Sequence, residues 1–443
     1  MLEQVNEYLK NKDFNNLHDY LESLNSADIP LLFDNLLEEE CLVVYRLLSK
    51  TKAAEVFTYM ESDMQKKLLN ALTDKELKAV IDELFMDDTV DLIEEMPSNV
   101  VKRILKTVNQ KDRKVINELL NYPDDSAGSI MTTEFVDLKE DMDVEGAIEK
   151  IKRIGADKES IYTCYVIDNT RKLVGVVSLR DIILSKPGTN LKEIIVQNPV
   201  TVFTLEDQED VAKKFEKYDI TSMPVVDKEN RLVGIITIDD AIDVLQEEVK
   251  EDFSKMAALT PAEDSYFRTS VFKHAKNRIL WLLLLMLSSI VTGSIISNYE
   301  NAFASVPILV AFIPMLMDTG GNCGSQTSTL IIRGLAKDEI KIKDFMKAWW
   351  KEVQVAILVG FGLVLANSVR IMIQYNNLQL ALVVGITLMA VVIISKSLGC
   401  ILPMAAKKIK LDPAIMAAPI ISTIVDACAV FIFFNVALLI MDI

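Results

Sequence analysis

The sequence predicts a multi-domain membrane protein in four parts. These are an all-α acidic N-terminal domain (1–128), an α/β tandem repeat (129–245), a connecting helix (246–272) and an α-helical transmembrane domain with five spans (273–443). Three observations predict it. Charge is segregated: residues 1–264 hold 32 Lys+Arg against 55 Asp+Glu, whereas residues 265–443 hold 15 against 9. A 19-residue stretch returns 59 positions later, and long apolar segments fill the last third. Such an acidic excess argues against nucleic acid as a partner and for cations or a basic surface.

The N-terminal domain reads as short amphipathic helices. Leu and Ile fall at helical spacing in LLFDNLLEEECLVVYRLL, MQKKLLNALTDKELKAVIDELF and TVDLIEEMPSNVVKRILKTV. No single helix of this kind can bury its stripe, so pairs stack as a small solenoid. Asp87, Asp88 and Asp91 begin one helix. Capping and the helix dipole account for aspartates there without any ligand, and a cation site accounts for them equally well. The N-terminus, MLEQVNEYLKNKDF, lacks an apolar h-region, so no cleaved signal is expected.

Val/Ile-rich strands then alternate with helices. YVIDNTRKLVGVVSLRDII (Tyr165 to Ile183) aligns with PVVDKENRLVGIITIDDAI (Pro224 to Ile242), pairing Asp168 with Asp227, Gly175 with Gly234 and Asp181 with Asp240. Each copy reads as strand, turn, strand, helix, and the pattern resembles a CBS-domain pair. The resemblance implies an adenine nucleotide such as ATP at the Ser/Thr-x-x-Asp step after the second strand. Here that step is Ser178 to Asp181 and Thr237 to Asp240, with Arg180 as a phosphate contact. The same residues also cap a helix unaided.

In the connecting stretch DDAIDVLQEEVKEDFSKMAAL, Asp240, Asp243, Glu247, Glu248, Glu251 and Asp252 recur at helical intervals. One helix face therefore concentrates carboxylates, which suits a solvated surface or a divalent cation.

Five apolar segments follow: Ile279–Ile296, Ala302–Ile332, Val353–Val369, Leu378–Ala406 and Pro413–Met441. Each reaches about the 17 to 25 residues a span requires. Lys273, Lys276 and Arg278 precede the first. Six Lys/Arg from Arg333 to Lys351 separate the second and third, and Lys407, Lys408 and Lys410 separate the fourth and fifth. The positive-inside rule then makes the soluble half cytoplasmic and the C-terminus external, and the plasma (inner) membrane is the expected location.

The second segment contains PMLMDTGGNCGSQTSTLIIR, with Asp318, Gly320, Gly321, Asn322 and Gln326 at membrane depth. An ionisable group there costs about 2.5 to 3.5 kcal/mol against lipid, so the stretch faces protein or water. Asp426 is the second intramembrane carboxylate. Reckoned from Pro413 it lies about 20 Å deep. Its span holds no neutralising residue; a pore-lining role and an ion pair with Lys396 both stay open. Pro419, one to two turns earlier, is expected to kink the span.

Taken in order, PMLMDTGGNCGSQTSTLIIRGLA, LDPAIMAAPIISTIVD, the repeat pair and the acidic helical N-terminus resemble the MgtE family of magnesium transporters and channels over essentially the whole chain. The resemblance implies a homodimer in membrane lipid, with its pore between second and fifth spans. Asp426 would hold hydrated Mg2+, Asn322 and the glycine-rich backbone would be its partners, and Asp412 would stand at the cytoplasmic mouth. It also implies feedback, in which cytosolic Mg2+ bridges Asp87, Asp88, Asp91, Asp219, Asp240, Asp243, Glu248, Glu251 and Asp252 and shuts the pore. One departure is Ala418 before Pro419, where some members carry Asn.

Other classes find less support. No Walker loop, nucleophile elbow or EF-hand pattern occurs, and His18 and His274 are the two histidines, so an enzyme is not expected. Five scattered cysteines read as free thiols without zinc. A coupled divalent-cation exchanger or exporter, and a membrane-tethered nucleotide sensor, remain as rival readings.

Overall fold

The computed structural model describes residues 1–260, 266, 269–299 and 306–441. It divides into two compact units, Met1–Leu245 and Gln246–Ile443.

In the first unit, residues 2–119 fold into helices, from α1 (Leu2–Asn11) to α10 (Gln110–Leu119). Side chains fix where several begin. At α7 (Asp74–Ile81) the Thr73 hydroxyl accepts from the Glu76 amide at 3.3 Å, while the Glu76 carboxylate accepts from the Thr73 amide at 2.8 Å. That reciprocal pair satisfies two amides the helix itself leaves unbonded. Each helix buries one stripe, such as Leu77, Val80 and Ile81 of α7 or Val100 and Ile104 of α9 (Ser98–Thr107). Next-but-one helices touch: α5 (Lys50–Thr58) packs on α7, and α7 on α9. The all-α N-terminal domain is therefore built of stacked helical pairs.

The tandem repeat forms two sheets of matching register. β1 (Phe135–Lys139), β2 (Ser160–Ile167), β3 (Leu173–Ser178) and β4 (Val196–Gln197) make one in that order. β5 (Val202–Phe203), β6 (Ser222–Val226) and β7 (Leu232–Thr237) make the other. Cys164 pairs with Val177 and Met223 with Ile236, the same pairing shifted by 59. The repeated aspartate shapes each hairpin. Asp168 Oδ1 accepts from the amides of Thr170 (2.7 Å) and Lys172 (2.9 Å), and Asp227 Oδ1 from those of Glu229 (2.8 Å) and Arg231 (2.9 Å). Helices α11 (Val144–Ile154), α12 (Leu179–Leu184) and α13 (Gln208–Tyr218) complete the pair.

α14 (Ile238–Met256) starts inside the second copy and stops at Met256, so the connecting segment is helical over its first half, not throughout. Residues 261–265, 267 and 268 lie outside the described residues.

In the second unit, four segments among the described residues are long and apolar enough to cross a membrane. They are Val271–Asn298, Ile342–Tyr375, Leu378–Lys408 and Pro413–Met441. They contain helices α15 (Val271–Asn298), α17 (Phe345–Tyr375), α18 (Leu378–Lys408) and α19 (Ala418–Met441). α15 leaves many of its apolar residues exposed, among them Leu280, Leu283, Leu287 and Val291, as a lipid-facing helix does. The 24-residue α16 (Ile313–Ala336) is not among the four, because Asp318, Asn322, Gln326 and Arg333 dilute its apolar character. It follows a 3-10 turn at Pro307–Phe312, and residues 302–305 of the expected second span lie outside the described residues.

The last span differs from expectation. Pro413–Met416 is a 3-10 turn, Ala417 is extended (φ −90°), and α19 begins only at Ala418. Pro419 therefore sits in the first turn, where its missing N–H has no helical partner to lose, and it starts the helix instead of kinking it. Asp426 is eight residues into α19, about 12 Å along a continuous helix, not the about 20 Å reckoned from Pro413.

Candidate ion path and cytosolic acidic site

On α16 the exposed residues Asp318, Asn322, Gln326, Thr329 and Arg333 follow one another at steps of four, four, three and four. That spacing aligns them in one polar stripe along the helix. The opposite face holds Gly320, Cys323, Gly324, Thr327 and Ile331, all buried. A methyl group on Gly324 would lie 2.5 Å from Ile421 Cγ2 and 3.2 Å from the Ser395 carbonyl, and one on Gly320 2.7 Å from both Val391 and Val425. Gly320 and Gly321, read from sequence as part of the ion path, are thus buried where α16 meets α18 and α19, off the exposed stripe. Close approach of the three backbones requires them.

Asp426, half-buried on α19, lies within electrostatic reach of Asp318. The ion-pair alternative involving Lys396 takes another form. Lys396 Nζ donates to Thr327 Oγ1 at 3.2 Å and lies 3.7 Å from Glu352 Oε2, and Thr327 Oγ1 donates to that same oxygen at 2.8 Å. Lys396 is thereby neutralised by a carboxylate of α17.

At the entrance to α19, Ser328 Oγ donates to the Met416 carbonyl at 2.7 Å and holds the 3-10 turn against α16. Asp412 uses both oxygens. Oδ1 accepts from the Ala414 amide at 2.8 Å, and Oδ2 accepts from Lys255 Nζ at 2.6 Å. Lys255 also bonds Glu251 Oε1 one turn earlier at 2.7 Å. Partial burial works to lower the Lys255 pKa, but the bonds to Asp412 and Glu251 outweigh it and hold the ammonium above its ordinary value.

The first unit gathers a second acidic group. Asp87 and Asp88, in the first turn of α8 (Met86–Glu95), face Asp239 and Asp240 at the start of α14, with Glu134 and Glu159 beside them. Burial, then Asp240, push the Asp87 pKa well above the carboxylate range. Burial and neighbouring carboxylates raise Asp88 to about 6 and Glu159 to about 8. Asp240 reaches about 6 because burial and Asp239 outweigh its hydrogen bond from Thr237. Asp91, on the same helix, is raised to about 7 by burial and then by Asp240 and Asp88. Asp87 Oδ1 and Glu159 Oε2 are buried without a hydrogen-bond partner. Unpaired buried carboxylate oxygens facing like charges fit a cation that arrives with its own water. Among the described residues, no three carboxylate, histidine or cysteine side chains converge tightly enough to hold a bare ion.

Sequence reasoning found Asp87, Asp88 and Asp240 but missed Glu134, Asp239 and Glu159. Glu134 and Glu159 each precede a strand, and no local spacing links them to the aspartates. Lys255 was legible as the residue four positions after Glu251, the spacing of a helical ion pair. Asp243, on the exposed side of α14, adds to the charge on Asp240 and is itself raised by burial and by Asp239. Other expected residues stand apart: Asp219 is exposed at the left-handed C-cap of α13 (φ 51°), and Glu248 and Asp252 are half-buried further along α14. The two Ser/Thr-x-x-Asp steps are not equivalent. Ser178 Oγ donates to Asp181 Oδ2 at 2.7 Å beside exposed Arg180, whereas Thr237 Oγ1 donates to Asp240 Oδ2 at 2.5 Å inside the acidic group. An anionic nucleotide suits the first far better than the second.

Residues 313–436 match the family model MgtE, divalent cation transporter, and residues 24–125 match the MgtE intracellular N domain. Residues 127–187 and 191–247 match the CBS domain. The chain is 34% identical over 441 residues to the magnesium transporter MgtE of Thermus thermophilus, covering 99% of this chain and 98% of that protein. The chain belongs to the MgtE family. It is also 33% identical over 428 residues to the magnesium transporter MgtE of Bacillus subtilis, covering 97% and 94%. The cytosolic domain of the Mg2+ channel MgtE in complex with ATP superposes with TM-score 0.53 at 37% identity, over 55% of this chain and all of that one. The soluble part of a magnesium transporter does so with TM-score 0.53 at 32% identity, over 56% and 97%. MgtE relatives are transporters, not enzymes, and the MgtE model begins at the first residue of α16 and ends within α19.

Proposed function

We propose that the chain conducts Mg2+ inward as a channel-like homodimer of five-span subunits, with its path between α16 and α19 on the two-fold axis. The observation that carries this reading is the stripe Asp318, Asn322, Gln326 beside Asp426, left uncovered on a single chain. Lipid cannot satisfy those groups, so a second copy and water are the surroundings that can. Mg2+ keeps its octahedral water shell, and paired carboxylates with amides around them suit outer-sphere contact with the hydrated ion. A divalent ion gains about 4.6 kcal/mol per 100 mV moving inward, so no coupled ion is needed. The basic loops support a cytosolic N-terminal half and an external C-terminus, and the plasma membrane is the location assigned with them.

Cytosolic Mg2+ closes the path by relieving carboxylate repulsion. The buried oxygens of Asp87 and Glu159 near Asp240 support a regulatory site, while at the mouth Lys255 already bridges Asp412 and Glu251 in the closing contact. Turning a 1:99 equilibrium to 99:1 takes about 5.5 kcal/mol, which several sites of about 1 kcal/mol each supply together. ATP, held by the relative's cytosolic domain, is assigned to the exposed step at Ser178, Arg180 and Asp181. Mg2+ uptake by reconstituted protein, with and without Mg2+ on the cytoplasmic face, tests the scheme. Uptake indifferent to both Asp426→Asn and cytoplasmic Mg2+ sinks it.

A further inference from the structure

We propose that Glu352, acting through Lys396 and Thr327, is a positioning residue that sets the rotation of α16 and so the aim of Asp318, Asn322 and Gln326. The inference rests on the transport reading for its functional consequence, but not for its geometry.

Three helices meet at this network: Thr327 on α16, Glu352 on α17 and Lys396 on α18. Thr327 is fully buried, and the side chains of Lys396 and Glu352 are 6% and 13% exposed. A buried ion pair is poor evidence for stability, since well-packed apolar residues of similar volume often do as well or better. Direction is what it offers. The Thr327 hydroxyl must donate to Glu352 while accepting from Lys396, and only a narrow range of α16 rotations meets both demands.

Close packing at Gly320 and Gly324 and the bond from Ser328 to Met416 hold α16 against α18 and α19, and the network adds a directional polar constraint to that packing. At about 5 Å from a helix axis, a turn of about 20° moves a side-chain tip by about 2 Å. Gln326 precedes Thr327 directly, so an error at the anchor passes undiminished to the stripe. Asn322 and Cys323 report the rotation. They are adjacent, yet Asn322 is exposed and Cys323 is 6% exposed.

The test uses the full-length protein with Cys41, Cys164, Cys400 and Cys428 replaced by Ala, reconstituted in vesicles. Reaction of Cys323, and of Asn322→Cys in a Cys323→Ala background, with a charged methanethiosulfonate is followed alongside Mg2+ uptake. Without further change, position 322 reacts and Cys323 is spared. Glu352→Gln and Thr327→Val each speed labelling of Cys323 about fivefold and slow uptake about fivefold. The exchange Glu352→Lys with Lys396→Glu restores both. In a parent that takes up Mg2+, unchanged uptake overturns the proposal, as does slowed uptake with the labelling pattern intact. Should Glu352→Gln fail to accumulate, Thr327→Val carries the same expectation without leaving a buried charge. If labelling shifts as stated while the parent protein moves no Mg2+, the transport reading fails and the positioning role stands.

Discussion

Lys255 Nζ lies 2.6 Å from Asp412 Oδ2, so an ammonium of α14 is bonded to the carboxylate that opens the turn into α19. Glu251 lies on the other side of the same ammonium at 2.7 Å. A fixed positive charge thus stands between two acids that would otherwise repel, and it needs no dissolved cation to do so.

Replacing Lys255 by Met leaves Glu251 and Asp412 facing one another. Both carboxylates are partly solvated, which limits the pair to about 1 kcal/mol, or about fivefold. The cytoplasmic Mg2+ concentration that halves uptake is expected to rise by about that factor. Reconstituted flux against cytoplasmic Mg2+ measures it, and an unshifted curve removes Lys255 from the closing contact.

Asp426→Asn keeps size and shape but removes the charge presented to the ion. Hydrogen bonds to a charged group are worth about 1.5 to 3 kcal/mol, so Mg2+ uptake is expected to fall about 10- to 100-fold with dimer assembly retained. Uptake and size-exclusion profiles of one preparation separate loss of conduction from loss of fold.

The acidic group of the first unit predicts an inverted pH response. Asp88 and Asp240 titrate at about 6 and Glu159 at about 8, all above the ordinary carboxylate range. The folded state therefore holds protons that the unfolded chain has released. The stabilisation is complete below about pH 4 and is lost as pH rises through 6 to 8. In divalent-free full-length protein, amides of α8 corrected for intrinsic exchange rate are expected to be better protected at pH 5 than at pH 8. Mg2+ restores protection at pH 8 and adds little at pH 5. Greater protection at pH 8 without Mg2+ refutes the burial of these charges.

Gly324→Ala inserts a methyl group 2.5 Å from Ile421 Cγ2 and 3.2 Å from the Ser395 carbonyl. Overpacking of this kind costs about 1 to 3 kcal/mol, because α16 must lift from α18 and α19. Thermal denaturation in detergent is expected to move down by several degrees, while Gly293→Ala, with open space around it, leaves the midpoint in place.

How much of this was legible in the sequence depended on whether the signal was local. The 59-residue repeat fixed both hairpins, since Asp168 and Asp227 act within four residues of themselves. The stripe on α16 was visible as polar residues where lipid forbids them. Glu352 was not, because its partners lie 25 and 44 positions away on other helices. Lys396 was noticed, but the one partner weighed for it, as the alternative to a pore-lining role, was Asp426; the uncharged third span begins one residue after its counterion Glu352. The break at Ala417 was hidden as well: Pro413 and Pro419 both permit helix, and the turn between them is set by Ser328 from a distant segment.

The uncovered stripe of α16 bears on biogenesis. A subunit that has left the insertion machinery alone carries a wet furrow along one helix and draws headgroups and water toward the bilayer centre. In the homodimer proposed above, pairing covers that furrow, so a copy without a partner is expected to be the less durable form in the membrane.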